Sequence, residues 1–186
     1  MLTQIEFDQL MQSLTLALSQ RNLEQALIEK DRVLAEGAPE MKGQCLLFVG
    51  MIRESSGDLQ SAQKEWLDAL SYAGEGTFLR YSLEQNIGRS WEKLGDIDQS
   101  LVWYRHALRT CAEGTEFSGQ GVLSTFLKLN RETIPKEDET VVKAVISKSW
   151  RVLQLPGSPG HTNLVQSIRT LSDSFSATVK KIKNGA

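Results

Sequence analysis

The residues of this chain that could carry chemistry are few and widely spaced. It has two histidines, His106 and His161, and two cysteines, Cys45 and Cys111. No two of these four lie at the short spacing of a metal-ligand motif, and no histidine has a cysteine or carboxylate partner at such a spacing. The pattern therefore predicts neither a metal site nor an activated nucleophile.

Two acidic pairs, Glu6/Asp8 and Glu137/Asp138, have the residue type that general acid–base catalysis requires. Carboxylates on solvated helices and loops are far more often surface charge. We therefore expect a protein that is not an enzyme, with no catalytic residue, no cofactor and no metal.

The composition and charge of the chain argue against some classes of partner. The 186 residues carry a net charge of -2, with 40% hydrophobic and 24% charged residues, as in an ordinary globular protein. The acidic balance argues against nucleic acid, and no apolar run is long enough to span a membrane. Residues from 139 onward carry seven Lys/Arg against two Asp/Glu, so an acidic body precedes a basic end. The cysteine pattern and the acidic N-terminus, unlike a secretion signal, lead us to expect a cytoplasmic protein.

Three segments share one arrangement of two helix-period runs joined by a short turn. The turns fall at Arg21-Asn22, Gly57-Asp58 and Gly95-Asp96. Glycine adopts the left-handed conformation that ends a helix, and an aspartate after it can cap the next helix by accepting a backbone N–H. We therefore predict helix pairs that turn at these three positions.

The second run of each segment carries a small residue at the same place, namely Ala26, Ala62 and Ser100, 36 and 38 residues apart. This period is close to the roughly 34 residues of a helix-turn-helix repeat. The segment from about 84 to 112 resembles a tetratricopeptide repeat (TPR). Its matching small, aromatic and turn positions are Gly88, Trp91, Gly95-Asp96, Ser100, Tyr104 and Ala107.

The two earlier segments resemble the same repeat less closely. The middle one has Arg53 where the family has an aromatic residue, and the first has Lys30 for an aromatic and Arg21 for the turn glycine. The closing proline of the family is missing from all three. The matches of the middle segment are Leu46, Gly50, Gly57-Asp58, Ala62, Trp66 and Ala69.

This resemblance implies an all-α fold, a TPR-like α-α superhelix of about three repeats with extra C-terminal helices. The repeats would span about 5–36, 40–74 and 78–113, followed by a degenerate pair over 115–154 whose last helix would run from about Glu139 to Leu153. In the family, glycines in the first helix allow close approach of the second, and aromatic residues such as Trp66 and Tyr104 fill the space between neighbouring repeats.

The last part of the chain is predicted to be a linker over 155–161 and a helix over 162–184. The helix has one apolar stripe and a basic end, and three interpretations remain open for it: a cap on the repeats, a dimer or partner helix, and a membrane-surface helix. We favour the cap. The stripe consists of Leu164, Ile168, Leu171, Phe175, Val179 and Ile182.

The resemblance also implies a binding surface, because the first helices of successive TPR repeats line a concave groove. An apolar centre would supply affinity, and Arg89 and Lys93 would select an acidic flank of the partner. Leu47 and Phe48 are equally well explained as core residues. The groove positions are Met11, Thr15, Gln44, Leu47, Phe48, Met51, Glu54, Ser82, Gln85, Asn86, Arg89 and Lys93, joined by Val122, Thr125 and Phe126 if the series continues.

Three hypotheses for function follow. The first is an adaptor or regulator that binds a peptide or helix of another protein in the groove. The second is a stoichiometric inhibitor or immunity-type protein that masks a partner. The third is a homo-oligomeric assembly factor, a homodimer for example, that pairs through the C-terminal helix. The identity of the partner is not encoded in any motif of the chain.

Overall fold

A computed structural model describes residues 1–114, 119–130, 134, 136–153, 169–170, 172–173 and 175–177. Within these ranges the regular structure is all α-helical, which confirms the predicted class, and no strand occurs. No helix in the same ranges combines the length and apolarity needed to cross a membrane. The helices are α1 Gln4–Gln20, α2 Leu23–Glu36, α3 Pro39–Ser55, α4 Leu59–Leu70, α5 Phe78–Lys93, α6 Ile97–Glu113, α7 Gln120–Leu129 and α8 Lys136–Leu153.

The three predicted turns lie where the sequence places them. Gly57 and Gly95 have positive φ angles of 87° and 84°, the left-handed region in which glycine carries no steric penalty. Asp58 then accepts a hydrogen bond from the Ser61 N–H and so caps α4, and Asp96 caps α6 in the same way. These caps satisfy backbone donors that the helix itself leaves without partners.

The first turn achieves the same geometry without glycine. Arg21 adopts a φ of 53°, and it is the one non-glycine residue with a positive φ in the described part of the chain. Asn22 follows and accepts a hydrogen bond from the Gln25 N–H at 3.1 Å. A left-handed conformation costs an L-residue roughly 1 kcal/mol, so this turn is formed against its local preference.

Successive helices pack against one another along the chain. The most extensive contacts are within the pairs α3/α4 and α5/α6, and each pair also contacts the next through α2–α3 and α4–α5. In addition α1 contacts α3, and α3 contacts α5. The first helices of the three pairs therefore lie beside one another, and this row of helices carries the candidate site.

Each of the later two pairs is closed by an aromatic ring that lies on a glycine. A Cβ built on Gly50 would meet the indole Nε1 of Trp66 at 2.2 Å, and one built on Gly88 would meet the Tyr104 ring at 2.8 Å. Trp66 is fully buried and its Nε1 donates to the backbone carbonyl of Leu47 at 3.1 Å. The sequence predicted that these rings fill the space between neighbouring helix pairs. In the structure, each ring packs against the glycine of its own pair.

Lys30 and Arg53 stand where the family has aromatic residues, and both pair with the carboxylate of Glu65. Glu65 on α4 has a side chain only 7% exposed, and both its oxygens lie 2.8 Å from the Lys30 Nζ. Arg53 Nε donates to the same carboxylate at 3.1 Å, and Arg53 also pairs with Asp58 at 3.3 Å. These charged residues therefore form an ion cluster that links α2, α3 and α4. At the corresponding positions of the other helix pairs, aromatic residues pack instead.

The described C-terminal residues continue the helical packing. Helix α8 begins at Lys136, three residues before the predicted start at Glu139, because an acidic first turn suits a helix N-terminus. One of these acids, Asp138, is buried and accepts a hydrogen bond from Arg105 Nε at 2.7 Å. The predicted start at about Glu139 is therefore three residues late.

Of the predicted C-terminal stripe, the structure describes Phe175. This side chain is buried in the same core cluster as residues of α5, α6, α7 and α8. Val142, Val145 and Ile146 of α8 are buried in this cluster too. The remaining predictions for this region lie outside the described residues. They are the linker 155–161 and the stripe residues Leu164, Ile168, Leu171, Val179 and Ile182.

Candidate functional site

Two adjoining cavities open along the row formed by α1, α3 and the start of α5. The first has a volume of about 460 Å³ and lies between α3, the first turn of α5 and the α4–α5 connection. The second, of about 570 Å³, lies between α1 and α3. Glu40 and Gln44 line both, so the two cavities adjoin along α3, and together they are called the groove. The first is lined by Glu40, Gln44, Leu47, Phe48, Tyr72, Gly74, Thr77, Phe78 and Leu79; the second by Gln4, Phe7, Asp8, Met11, Ala38, Glu40, Met41 and Gln44.

Helix α3 forms the shared wall because of its residue spacing. Residues 40, 44, 47, 48 and 51 recur at steps of three and four, which places them on one side of a helix. The other side is made of buried apolar residues such as Val49 and Ile52, which fix the helix in the core. Pro39 at the first helical position sets where the helix, and hence Glu40, begins.

The rim of the first cavity comes from the start of α5. Thr77 caps this helix by accepting a hydrogen bond from the Arg80 N–H at 3.2 Å. The cap places Phe78 in the first turn with 62% of its surface exposed, and its ring centroid lies 6.2 Å from that of Tyr81. An exposed aromatic ring beside an apolar cavity is a common feature of protein-binding sites.

Four of the predicted groove residues meet at these cavities. Gln44, Leu47 and Phe48 line the first, and Met11 lines the second together with Gln44. Gln44 is exposed, whereas Leu47 and Phe48 are half-buried and also pack on core clusters. Leu47 and Phe48 are therefore both core residues and residues that line the groove.

Several residues that line the two cavities were not among the predicted groove positions. Tyr72 and Phe78 lie at the connection between α4 and α5, outside the first-helix positions that the resemblance transfers. Glu40 and Met41 precede the transferred positions of α3 by one turn. The sequence feature that could have indicated Phe78 is the break at Gly74 and Gly76. A helix that starts just after this break presents its first turn at the groove.

The predicted cationic end of the groove forms an ion cluster between α3 and α5, in which Arg89 and Lys93 keep 42% and 50% of their side-chain surface exposed. Arg89 Nη2 lies 2.6 Å from one oxygen of Glu54, and Lys93 Nζ lies 2.8 Å from the other. Arg89 Nη2 also donates to the Oδ1 of the buried Asn86 at 2.7 Å. Glu54 therefore engages both cations between α3 and α5, and none of these four residues lines either cavity.

The other predicted groove residues lie apart from the cavities. Met51 is half-buried and packs against the core cluster that contains Trp66. Gln85 faces α7, where its Nε2 would lie 3.7 Å from a Cβ on Gly121. Thr15 is exposed and donates a hydrogen bond to the Met11 carbonyl at 2.8 Å, and Ser82 is half-buried.

The proposed extension of the groove onto α7 is wrong at two positions. Val122 and Phe126 are 1% and 0% exposed and belong to the core cluster of the C-terminal helices. They are buried because α7 packs on α6 and α8 with this face. Thr125, on another side of α7, is half-buried and donates to the Gly121 carbonyl at 3.2 Å.

Burial shifts the pKa of both thiols and of the described histidine, His106, away from their ordinary values. Burial raises the pKa of Cys45 to about 12 and that of Cys111 to about 11. A thiol is nucleophilic only as thiolate, so neither is activated at neutral pH. Burial, together with the charges of Arg109 and Arg80, lowers the pKa of His106. Among the described residues no group of three His, Cys, Asp or Glu side chains could hold a metal ion. His161 lies outside those residues.

Comparison with known proteins gives no match: no protein family, no curated protein and no solved structure corresponds to this chain.

Proposed function

We propose that this chain is a protein-interaction module of the TPR type, an adaptor or regulator that binds a peptide or helix of another protein in the groove between α1, α3 and α5. The observation that carries the proposal is the pair of adjoining cavities, which share Glu40 and Gln44 and are walled mainly by apolar and aromatic side chains. Concave apolar sites with few polar groups are the usual form of ligand-binding sites.

The TPR assignment within this proposal rests on the sequence matches and on the order of helix contacts. First helices that adjoin one another and Gly-Asp turns are features that the resemblance implies. The interaction role rests on the groove itself. Proteins usually keep exposed apolar surface in small patches, and a groove with apolar and aromatic lining is a preferred place for a partner.

The test uses Gln44, because its exposed side chain lines both cavities and lies on a helix that the core holds in place. A photo-crosslinking amino acid at position 44, introduced in living cells, should capture a defined protein. The same group at the exposed Gln60, on α4 and outside both cavities, should not. Each captured protein is then purified and its affinity for the unmodified chain is measured.

Gln44→Trp fills the entrance of the groove and should weaken binding of that purified partner by at least about tenfold, since a steric block acts on the whole apolar contact. Gln60→Trp should leave the affinity unchanged, and both variants should keep the helicity and melting temperature of the wild type. Equal capture at positions 44 and 60, or an affinity that Gln44→Trp does not change, would reject the groove.

One observation favours the masking alternative and gives it a distinct outcome. The second helices α2 and α4 expose Ile28 and Leu67, 59% and 47% accessible, away from both cavities. An inhibitor that covers a partner with this surface would be captured from position 60 rather than 44. For the third hypothesis, the burial of Phe175 in the core supports a cap over a dimer helix at that position.

A further inference from the structure

The groove carries charge of one sign. Asp8 and Glu40 line it, Glu40 in both cavities, and no Lys or Arg is among the described residues that line either cavity. The nearest predicted cations, Arg89 and Lys93, are engaged by Glu54 and lie outside both cavities. The charged side chains that line the groove are therefore acidic, whereas the sequence led us to expect cations that select an acidic flank.

Neither carboxylate forms an ion pair with a Lys or Arg of the described part of the chain, in contrast to several other acids. Glu6, Glu54, Glu65, Glu84 and Asp138 each pair with a Lys or Arg of the chain. Asp8 accepts a hydrogen bond from the neutral Gln4 amide at 2.8 Å, and Glu40 is exposed on the first turn of α3. A cation from outside would meet no competing internal partner at either position.

The apolar part of the groove lies at a defined distance from this charge. Leu47 and Phe48 follow Glu40 by seven and eight residues along α3, which corresponds to roughly 10–12 Å at a rise of about 1.5 Å per residue. An extended peptide covers this length in about three to four residues. The cavity of about 460 Å³ beside them has room for a leucine, methionine or phenylalanine side chain.

We propose that the occupant of the groove is a segment of a partner protein in which a Lys or Arg stands two to four residues from a large apolar residue. The apolar side chain fills the cavity between Leu47, Phe48 and Phe78, and the cation lies between Asp8 and Glu40. This inference rests on the proposed function and adds the chemistry of the ligand to it.

The test is a selection of random dodecapeptides on the purified full-length chain, followed by affinity measurements with the enriched peptides in synthetic form. Enriched sequences should carry Lys or Arg two to four residues from Leu, Met, Ile or Phe. Glu40→Gln should weaken their binding about 2- to 5-fold, and Asp8→Asn with Glu40→Gln about 4- to 20-fold, as expected for exposed charge pairs.

The matched control is Glu24→Gln, which removes another exposed carboxylate from the first turn of a helix, α2, away from the groove. It should leave the affinity unchanged. Raising the salt from about 50 mM to about 500 mM should weaken wild-type binding more than binding by the Asp8→Asn/Glu40→Gln variant, because salt screens the exposed charge pairs that this variant lacks.

The outcomes separate the two proposals. Enriched peptides that are neutral or acidic, or affinities that the Asp8 and Glu40 variants leave unchanged while Gln44→Trp abolishes binding, would overturn the charge preference and keep the groove. Failure to select any peptide that Gln44→Trp releases would overturn both. Self-association of the wild type that Glu40→Gln abolishes would place a second copy in the groove and overturn the partner-segment assignment.

Discussion

The indole of Trp66 lies directly on the backbone of Gly50, so close that a Cβ at position 50 would stand 2.2 Å from its Nε1. The ring has no freedom to move away, because it is fully buried and its Nε1 is bound to the Leu47 carbonyl. The two helices α3 and α4 can therefore approach this closely only because residue 50 has no side chain. Gly88 and Tyr104 repeat the relationship between α5 and α6.

Gly50→Ala is expected to lower the free energy of unfolding by about 1–3 kcal/mol, since overpacking a rigid core costs more than the helix propensity that alanine adds. Gly88→Ala should act in the same direction. The matched control is Gly121→Ala in α7, where the nearest atom would be 3.7 Å away and alanine should raise stability by about 0.5 kcal/mol. Urea unfolding followed by circular dichroism measures all three. A Gly50→Ala protein as stable as Gly121→Ala would contradict the packing argument.

The helix pairs could be predicted from the sequence because their signals are local. A turn glycine, a capping aspartate and apolar residues at steps of three and four all act within one or two turns of helix, and Gly57-Asp58 and Gly95-Asp96 lie where they were expected. The shared use of Glu65 by Lys30 and Arg53 could not be predicted. Helical period assigns a residue to a face, but it does not say which distant charge will face it.

That shared carboxylate gives a second prediction. Glu65→Leu leaves Lys30 and Arg53 half-buried without their common partner and should lower the free energy of unfolding by about 2–4 kcal/mol. Adding Lys30→Met should recover at least about 1 kcal/mol, because the remaining cation, Arg53, still pairs with Asp58. A double-mutant cycle in urea measures the coupling. If the double variant is less stable than Glu65→Leu alone, the cluster does not act as a unit.

Of the residues that line the groove, mainly those on the middle of α3 could be predicted from the sequence. Gln44, Leu47 and Phe48 follow from the first-helix positions of the resemblance, and these positions do line the groove. The sequence placed Arg89 and Lys93 in the groove, whereas both pair with Glu54 and neither lines a cavity, because an ion pair between helices is invisible in the sequence. Arg89 is separated from Glu54 by 35 residues, yet their side chains meet at 2.6 Å. The same limit hid Phe78, whose position depends on how α5 begins.

A third prediction concerns pH and the buried Glu84. Burial raises the pKa of its carboxyl above the ordinary value of 4.5, although hydrogen bonds from Thr110 at 2.7 Å and Arg80 at 3.1 Å oppose the shift. A carboxyl with a raised folded-state pKa destabilises the fold at pH values above that pKa, and the penalty disappears as the pH falls towards 4.5. The neighbouring acid Glu75, paired with Arg80, raises the pKa of Glu84 further.

Glu84→Gln should therefore melt at a higher temperature than the wild type near pH 7, and the difference should shrink as the pH falls to about 5. Melting curves across this window check it. Caps formed by Glu6 and Asp58 do not interfere, because their hydrogen bonds hold the pKa of each carboxyl below its ordinary value. A difference that stays constant or widens towards pH 5 would show that Glu84 is not the group that titrates.

The last prediction concerns the contact between α8 and the end of α6. Lys148 is buried, and its Nζ donates to the backbone carbonyls of Cys111 and Gly114. These carbonyls belong to the C-terminus of α6, where a helix leaves acceptors without internal partners and where positive charge is favourable. Lys148→Met keeps the length of the side chain and removes the donor, so it should lower the free energy of unfolding by about 1–3 kcal/mol.

Lys143→Met on the same helix is the control, because Lys143 is 63% exposed and forms a surface pair with Glu139. Its effect should stay within about 0.5 kcal/mol. Urea unfolding of the two variants gives the comparison, and hydrogen exchange adds a local readout, since amides at the end of α6 should lose protection in Lys148→Met only. Equal stabilities for the two variants would mean that the lysine does not hold α8 to α6, and that the apolar contacts of Val142 and Val145 are sufficient.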